Sequence, residues 1–211
     1  MTGSNDWHPI YDFWFPPGLD TAEPETHRAM FTWWLGGGAN PELPQFGSLV
    51  DAAGTGRLDH WQANPAGRLA LILLLDQFPR GLFPGTARAY ATDPAALRIA
   101  ESGIRIGHYD ALPRSWERTF FFMPLAHTEG PDHLARLDRV VAMAEAVVLT
   151  VPEPLEPLYR FSASQARAHR ETIAIFGRYP HRNAALGRTS TSEELAYLER
   201  GDFVHQRRPP D

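Results

Sequence analysis

The sequence predicts an all-α fold, and three observations carry that expectation. Proline leads a helix-compatible run at Asn64-Pro65, where Asn64 is a cap, at Asp93-Pro94 and at Leu112-Pro113; proline suits the first helical position because that amide has no intrahelical partner. Residues 131–149 place Leu134, Leu137, Val140, Val141, Ala144 and Val148 on one stripe at helical period. No stretch alternates apolar and polar residues over six positions, and no Asn-Gly or Asp-Gly hairpin turn occurs.

Taken in order, the elements read as follows. Residues 36–44 carry Gly36, Gly37, Gly38, Pro41 and Pro44 and read as a flexible loop. The neighbouring Trp33 and Trp34 would let it serve as a lid over a cavity, although a plain surface loop is the simpler expectation. Residues 66–77 are apolar nearly all round, the mark of a buried helix, with Pro79 expected to stop it. Further helices are expected over 95–106, 114–123 and 131–149, and a fifth from near Pro154 towards Phe176, with Leu158, Phe161, Gln165, His169 and Ile173 along it. Thr191-Ser192-Glu193-Glu194 has the form of an N-terminal cap with first-turn acids and opens the last helix. The tail at 206–211 is expected to fray. Antiparallel helix pairs would build a bundle or a short solenoid, and no self-similar repeat decides between them.

The chain has 211 residues, 43% of them hydrophobic, enough for a single well-buried domain and short for two. A net charge of -5 leaves no electrostatic footprint for nucleic acid or an anionic membrane, so neither is an expected partner. Cysteine is absent, which excludes disulfides, thiol nucleophiles and thiolate metal sites. All 20 basic residues are arginine, which excludes a lysine Schiff base, lysine-linked pyridoxal phosphate and a Walker P-loop. Residues 1–6 lack a basic and then apolar leader, and the longest apolar run, residues 69–75, is far short of a membrane span, so a cytoplasmic location is expected.

Chemistry-bearing residues fall into three groups. His127 and Glu129, two apart beyond the expected helix end at Pro124, would face one side of an extended segment and could pair as a general acid or base, or merely tie a loop to a helix end. Arg178, His181, Arg182, Asn183 and Arg188 crowd one turn; arginine forks match carboxylate or phosphate, so an anionic small molecule is the expected ligand, against internal pairing with Asp76, Glu171 or Glu193. Asp76 and Gln77, with Arg80 and Arg88, end the most apolar helix. A carboxylate desolvated there needs a cationic partner, expected to be Arg182 or Arg178. Asp76, His127, Glu129, His169 and His181 could together offer two histidines and a carboxylate to a metal. No HxxxH or ExxH spacing supports this, and Arg182 beside His181 disfavours it, so no metal is expected. No nucleotide or flavin fingerprint occurs, so no organic cofactor is expected. His8, His27, His60, His108, His133 and His205 are expected to be solvated, and Trp14, Phe15, Trp33, Trp34 and Trp61 to form core or cavity wall.

Leu75-Asp76-Gln77-Phe78-Pro79-Arg80, Arg88-Ala89-Tyr90-Ala91-Thr92-Asp93, Pro124-Leu125-Ala126-His127-Thr128-Glu129 and Phe176-Gly177-Arg178-Tyr179-Pro180-His181-Arg182-Asn183 occur in this order. With Asp12-Phe13-Trp14-Phe15 ahead of them, the chain resembles the bacterial family catalogued as domain of unknown function 924 over roughly residues 10–200. The resemblance implies a tetratricopeptide-like helical superhelix and no defined activity. The chain departs from the family's pattern at Gly81, commonly Asn, at Ala126, commonly acidic, at Thr128-Glu129-Gly130, often Ser-Glu-Asp, and through residues 36–41. A shared fold therefore carries over more safely than a shared substrate.

Two functions follow as expectations. One is a small-molecule enzyme in which His127 and His181 exchange protons while Arg178, Arg182 and Arg80 hold an anionic substrate. The other is a non-catalytic tetratricopeptide-like binding or scaffold module, which requires the arginine block to face outward. Oligomeric state is not encoded in any visible pattern.

Overall fold

The computed structural model describes residues 6–201; the expectations for the tail at 206–211 and for His205 lie outside them. Among the described residues the fold is all-helical, without a strand. The helices are α1 (His8–Trp14), α2 (Pro24–Leu35), α3 (Gly47–Gly54), α4 (Pro65–Leu82), α5 (Asp93–Arg105), α6 (Ser115–His127), α7 (His133–Val148), α8 (Glu156–Phe176) and α9 (Ser192–Glu199), joined in part by 3-10 turns. None is long and apolar enough to cross a membrane.

The apolar helix read from the sequence is α4, and it organises the domain. Asn64 accepts a hydrogen bond from the Gly67 amide at its start, as its capping position requires. Every residue from Gly67 to Asp76 is buried, and α1, α3, α5 and α6 all pack on it. Around this axis one continuous core takes in Trp14, Trp34, Phe78, Phe120, Phe121 and Leu137. Beyond it, α6 packs on α7 and α7 on α8.

Two expected helix ends were misplaced, both at proline. α4 continues through Pro79 to Leu82. Pro79 has no amide hydrogen for the Leu75 carbonyl, and the Thr92 hydroxyl donates to that carbonyl instead at 2.6 Å, so the break is repaired from the start of the next helix. α6 likewise contains Pro124 and ends at His127, so His127 is the last helical residue and not part of an extended loop.

The end of α6 is capped with unusual completeness. Thr128 donates to the Pro124 carbonyl through both its amide and its hydroxyl, and Arg136 donates to that of Leu125. His133 Nε2 and the Tyr179 hydroxyl donate to Ala126, and Arg182 to His127. The last four carbonyls of a helix have no partner of their own, and here each is met. This corrects the expectation that His133 is solvated: it is buried in this cap. His27 is buried as well, against Trp116. Leu134, counted on the α7 stripe, is exposed, while Leu137, Val140, Ala144 and Val148 are buried.

At the far end α8 stops at Gly177, whose φ of +67° places it in the left-handed region that glycine enters without strain. The chain turns back there, so that residues 178–188 return to the ends of α4 and α6. Thr191 and Glu194 then form the reciprocal cap that starts α9.

Candidate functional site

A cavity of about 400 Å³ opens between the C-terminal parts of α4 and α6, the middle of α8, the ends of α1 and α2, and the returning segment. Its size falls within the range of small-molecule sites. Gln77, Arg80, His127, His169, His181 and Arg182 supply the polar wall, and Trp14, Trp34, Leu43, Phe122, Met123 and Phe161 much of the apolar one.

Behind the polar wall lie two carboxylates. Asp76 is fully buried, and the His127 Nδ1 lies 2.9 Å from both its oxygens. Gln77 Nε2 donates to Asp76, and Arg80 pairs with it at 3.2 Å. Burial alone would raise this carboxyl, but Arg80, His127 and Gln77 outweigh burial and hold it well below the usual range. Asp93, at the first residue of α5, bridges the two arginines, at 2.9 Å from Arg80 and 3.2 Å from Arg182. Burial raises its pKa, and repulsion from Asp76 adds to this, beyond what the two guanidiniums recover.

Arg182 is 3% exposed, between the rings of Tyr90 at 4.4 Å and Tyr179 at 4.6 Å. Arg80 remains 22% exposed at its side chain. The guanidiniums of Arg80 and Arg182, and not the carboxylates, line the cavity, Arg80 being the more exposed of the two, and the four charges balance. His127, His169, Tyr179 and His181 continue this wall as a ring cluster, with successive centroids 5.3 to 6.3 Å apart. Burial, then Arg182 beside it, pushes His181 down to about 3, so its imidazole is neutral in the physiological range. Among the described residues no group of three histidines or carboxylates converges as ligands for a metal ion.

His127 and its acid partner are the centre of the arrangement. With Nδ1 against Asp76, the ring donates its proton there when neutral and leaves Nε2 as the second nitrogen, on a side chain that lines the cavity. A buried carboxylate that fixes the tautomer of a histidine is the arrangement by which a ring is held as a general base.

Of the sequence-derived candidates, Gln77, Arg80, His127, His169, His181 and Arg182 meet in the cavity, and Asp76 supports them from behind. The expected pairing of His127 with Glu129 does not form. Glu129 instead accepts from the Tyr179 amide at 2.7 Å and pairs with Arg188; burial opposes its ionisation, but these donors hold it below the usual carboxylate range. Arg88 lies on the surface against Asp51 at 2.7 Å, stacked on Phe83. Arg178 grips Glu194 through two bonds of 2.7 and 2.8 Å, and buried Asn183 donates to Glu194 and Ser190. These two organise the start of α9 and do not line the cavity. Neither Arg178 nor Arg182 pairs with Asp76, because α5 brings Asp93 to Arg182, and Glu194 stands beside Arg178.

Residues without a functional reading in the sequence also belong to the site. Asp93 and Tyr90 were visible only inside a motif whose arginine drew attention. Asn40 comes from the glycine-rich segment, which is a cavity wall and not a plain surface loop: its 3-10 turn, Asn40–Phe46, buries Leu43. A Cβ on Gly81 would lie 2.4 Å from Asn40 Oδ1 and 2.5 Å from Leu43 Cδ1, so glycine at 81 is what lets this segment approach α4.

The chain matches the family described as bacterial protein of unknown function, DUF924, over residues 10–202. It is also similar to the solved structure of a protein of unknown function from Agrobacterium tumefaciens. The two are 34% identical with a TM-score of 0.68, over 92% of this chain and 97% of that one. None of the curated proteins compared matches it.

Proposed function

We propose, for a chain that belongs to the bacterial DUF924 family of unknown function, that the cavity is the active site of a small-molecule enzyme acting by general acid–base catalysis on an anionic substrate. The observation that carries this reading is the 2.9 Å bond between His127 Nδ1 and fully buried Asp76. It leaves Nε2 as the proton-accepting atom at the cavity wall, where a general base must reach its proton. Arg80 and Arg182 in front of their carboxylates would orient an anionic group beside it.

His181 takes a different part from the one expected of it. A ring that stays neutral until about pH 3 is a poor proton carrier, so we assign it hydrogen bonding to the substrate and leave proton transfer to His127. His169 and Gln77 complete the polar contacts. Arg88, Arg178, Asn183 and Glu129 support the fold around the site. The burial of Arg182 at an internal cavity weighs against a peptide-binding face, which needs the arginine block outward. We retain the tetratricopeptide-like superhelix as a proposal for the succession α6, α7, α8, supported by their sequential packing.

The test is native mass spectrometry of protein purified without added ligand, followed by turnover assays on any small molecule released. The reading expects His127→Gln to bind that molecule and lose at least about a hundredfold in turnover. Undiminished turnover by this variant would end the assignment of His127 as the base.

A further inference from the structure

The cavity is chemically two-ended. Along α6 its lining passes from Phe122 and Met123 through Ala126 to His127, and along α8 from Phe161 and Ser162 through Gln165 and Ala166 to His169. Both linings open on an aromatic ring and end on imidazole, that of α8 with the polar Ser162 and Gln165 between, and the eight helical rises from Phe161 to His169 span about 12 Å. A small apolar annex shares Trp34, Leu35, Met123 and Ser162 with the cavity and touches none of its arginines or histidines. The Trp34 indole donates to the Trp14 carbonyl at 2.8 Å, which keeps both tryptophans at that end.

The charge at the other end limits the head group. Asp76 and Asp93 already balance Arg80 and Arg182, so every negative charge that enters this desolvated wall is uncompensated, which rules against a dianion and leaves at most a monoanion. Both terminal nitrogens of Arg80 already hold Asp93, so a head group meets the guanidinium on its partly exposed side and not through a second forked pair.

We propose that the ligand is an amphiphilic monocarboxylate, its head against Arg80 and Arg182 and an alkyl body of about eight carbons laid along α8 towards Trp14 and Trp34, the body length following from the roughly 12 Å span. This class rests on the anionic-substrate reading above and narrows it. Each methylene buried against the apolar wall should tighten binding up to about fourfold, so affinity should climb along a homologous series.

The experiment titrates the full chain with acetate, butanoate, hexanoate, octanoate and uncharged octanamide, following tryptophan emission and heat. The expected result is an affinity rising with chain length, with octanoate at least about tenfold tighter than octanamide. Phe161 is half-buried, so Phe161→Asn is a tolerated variant that adds no charge; it should weaken octanoate about tenfold or more and disturb acetate far less. Acetate as tight as octanoate, or octanoate undisturbed by Phe161→Asn, overturns the apolar-body assignment while the anionic reading stands. Octanamide as tight as octanoate overturns the carboxylate head and the anionic reading with it. No binding by any member overturns the ligand class, whereas the acid–base role is judged separately by turnover in His127→Gln, which leaves the apolar end untouched.

Discussion

Lowering the pH from about 7 to about 5 should cost this fold stability through one buried and one half-buried histidine, and the amount can be worked out. Burial and the neighbouring arginines push His181 down to about 3 and, with burial again the larger cause, His133 to about 4. The unfolded chain takes up a proton on each near pH 6.5, and the folded chain does not until the pH falls to those lower values. Stability from each ring is therefore complete above the unfolded value and is lost as the pH falls towards the folded one. Between about pH 7 and 5 the loss is about 2 kcal/mol per histidine, and it barely depends on where below 5 the folded value lies. Depressed His27 and His108 act in the same direction, and Asp93, whose pKa is raised, opposes them. Comparing wild type with single variants isolates each ring. His133→Gln keeps a donor for the Ala126 carbonyl, and His181→Gln removes the ring in the cavity wall. Urea titrations followed by tryptophan emission at both pH values should show each variant losing about 2 kcal/mol less than wild type over the interval. A pH dependence identical to wild type in both variants would refute the claim that these rings stay neutral in the folded state.

Three other perturbations have defined outcomes. Asp76→Asn removes a buried charge that Arg80 and His127 share, and should cost about 3 kcal/mol in chemical denaturation; a cost below about 1 kcal/mol would show that Asp93 alone satisfies Arg80. Gly81→Ala should leave stability within about 1 kcal/mol, because the gain in helix propensity offsets the displacement of Asn40 and Leu43. The Asn40 side-chain amide resonances should shift in that variant, and unmoved resonances would contradict the close approach of the two segments. Tyr179→Phe deletes one of two donors to the Ala126 carbonyl and should cost about 1 kcal/mol, read from the thermal midpoint, with His133 retaining the other bond; a cost above about 3 kcal/mol would mean that the cap depends on the hydroxyl.

Much of the fold was legible because its signals are local. The caps at Asn64 and Thr191, the prolines at 65 and 94 and the all-apolar face of α4 are read within a few residues, and they place the later helices to within a few positions. The errors at Pro79 and Pro124 have a non-local cause: a helix passes through proline when something distant repairs it, as Thr92 does for Leu75. Of the first three helices, α1 and α3 escaped detection because they have only 7 and 8 residues, and α2 because its buried stripe of His27, Phe31 and Trp34 begins on a histidine; ring contacts such as Phe13 with Phe46 and Trp14 with Phe78 bury α1. For the site, residue types pointed to the correct neighbourhood and to the wrong partners. His127 was paired with Glu129 on sequence proximity, whereas Asp76 stands 51 positions away. Asp93 carried no signal of its own, since an aspartate before a proline at a helix start already has a local explanation.

Long-range proton–nitrogen NMR of the neutral histidine rings reads whether Asp76 holds His127 with Nε2 as the proton-accepting nitrogen at the cavity wall. A protonated Nδ1 and an unprotonated Nε2 are expected in the wild type, with that preference weakened in Asp76→Asn. A wild-type ring carrying its proton on Nε2 would contradict the dyad and remove the base from the proposed mechanism.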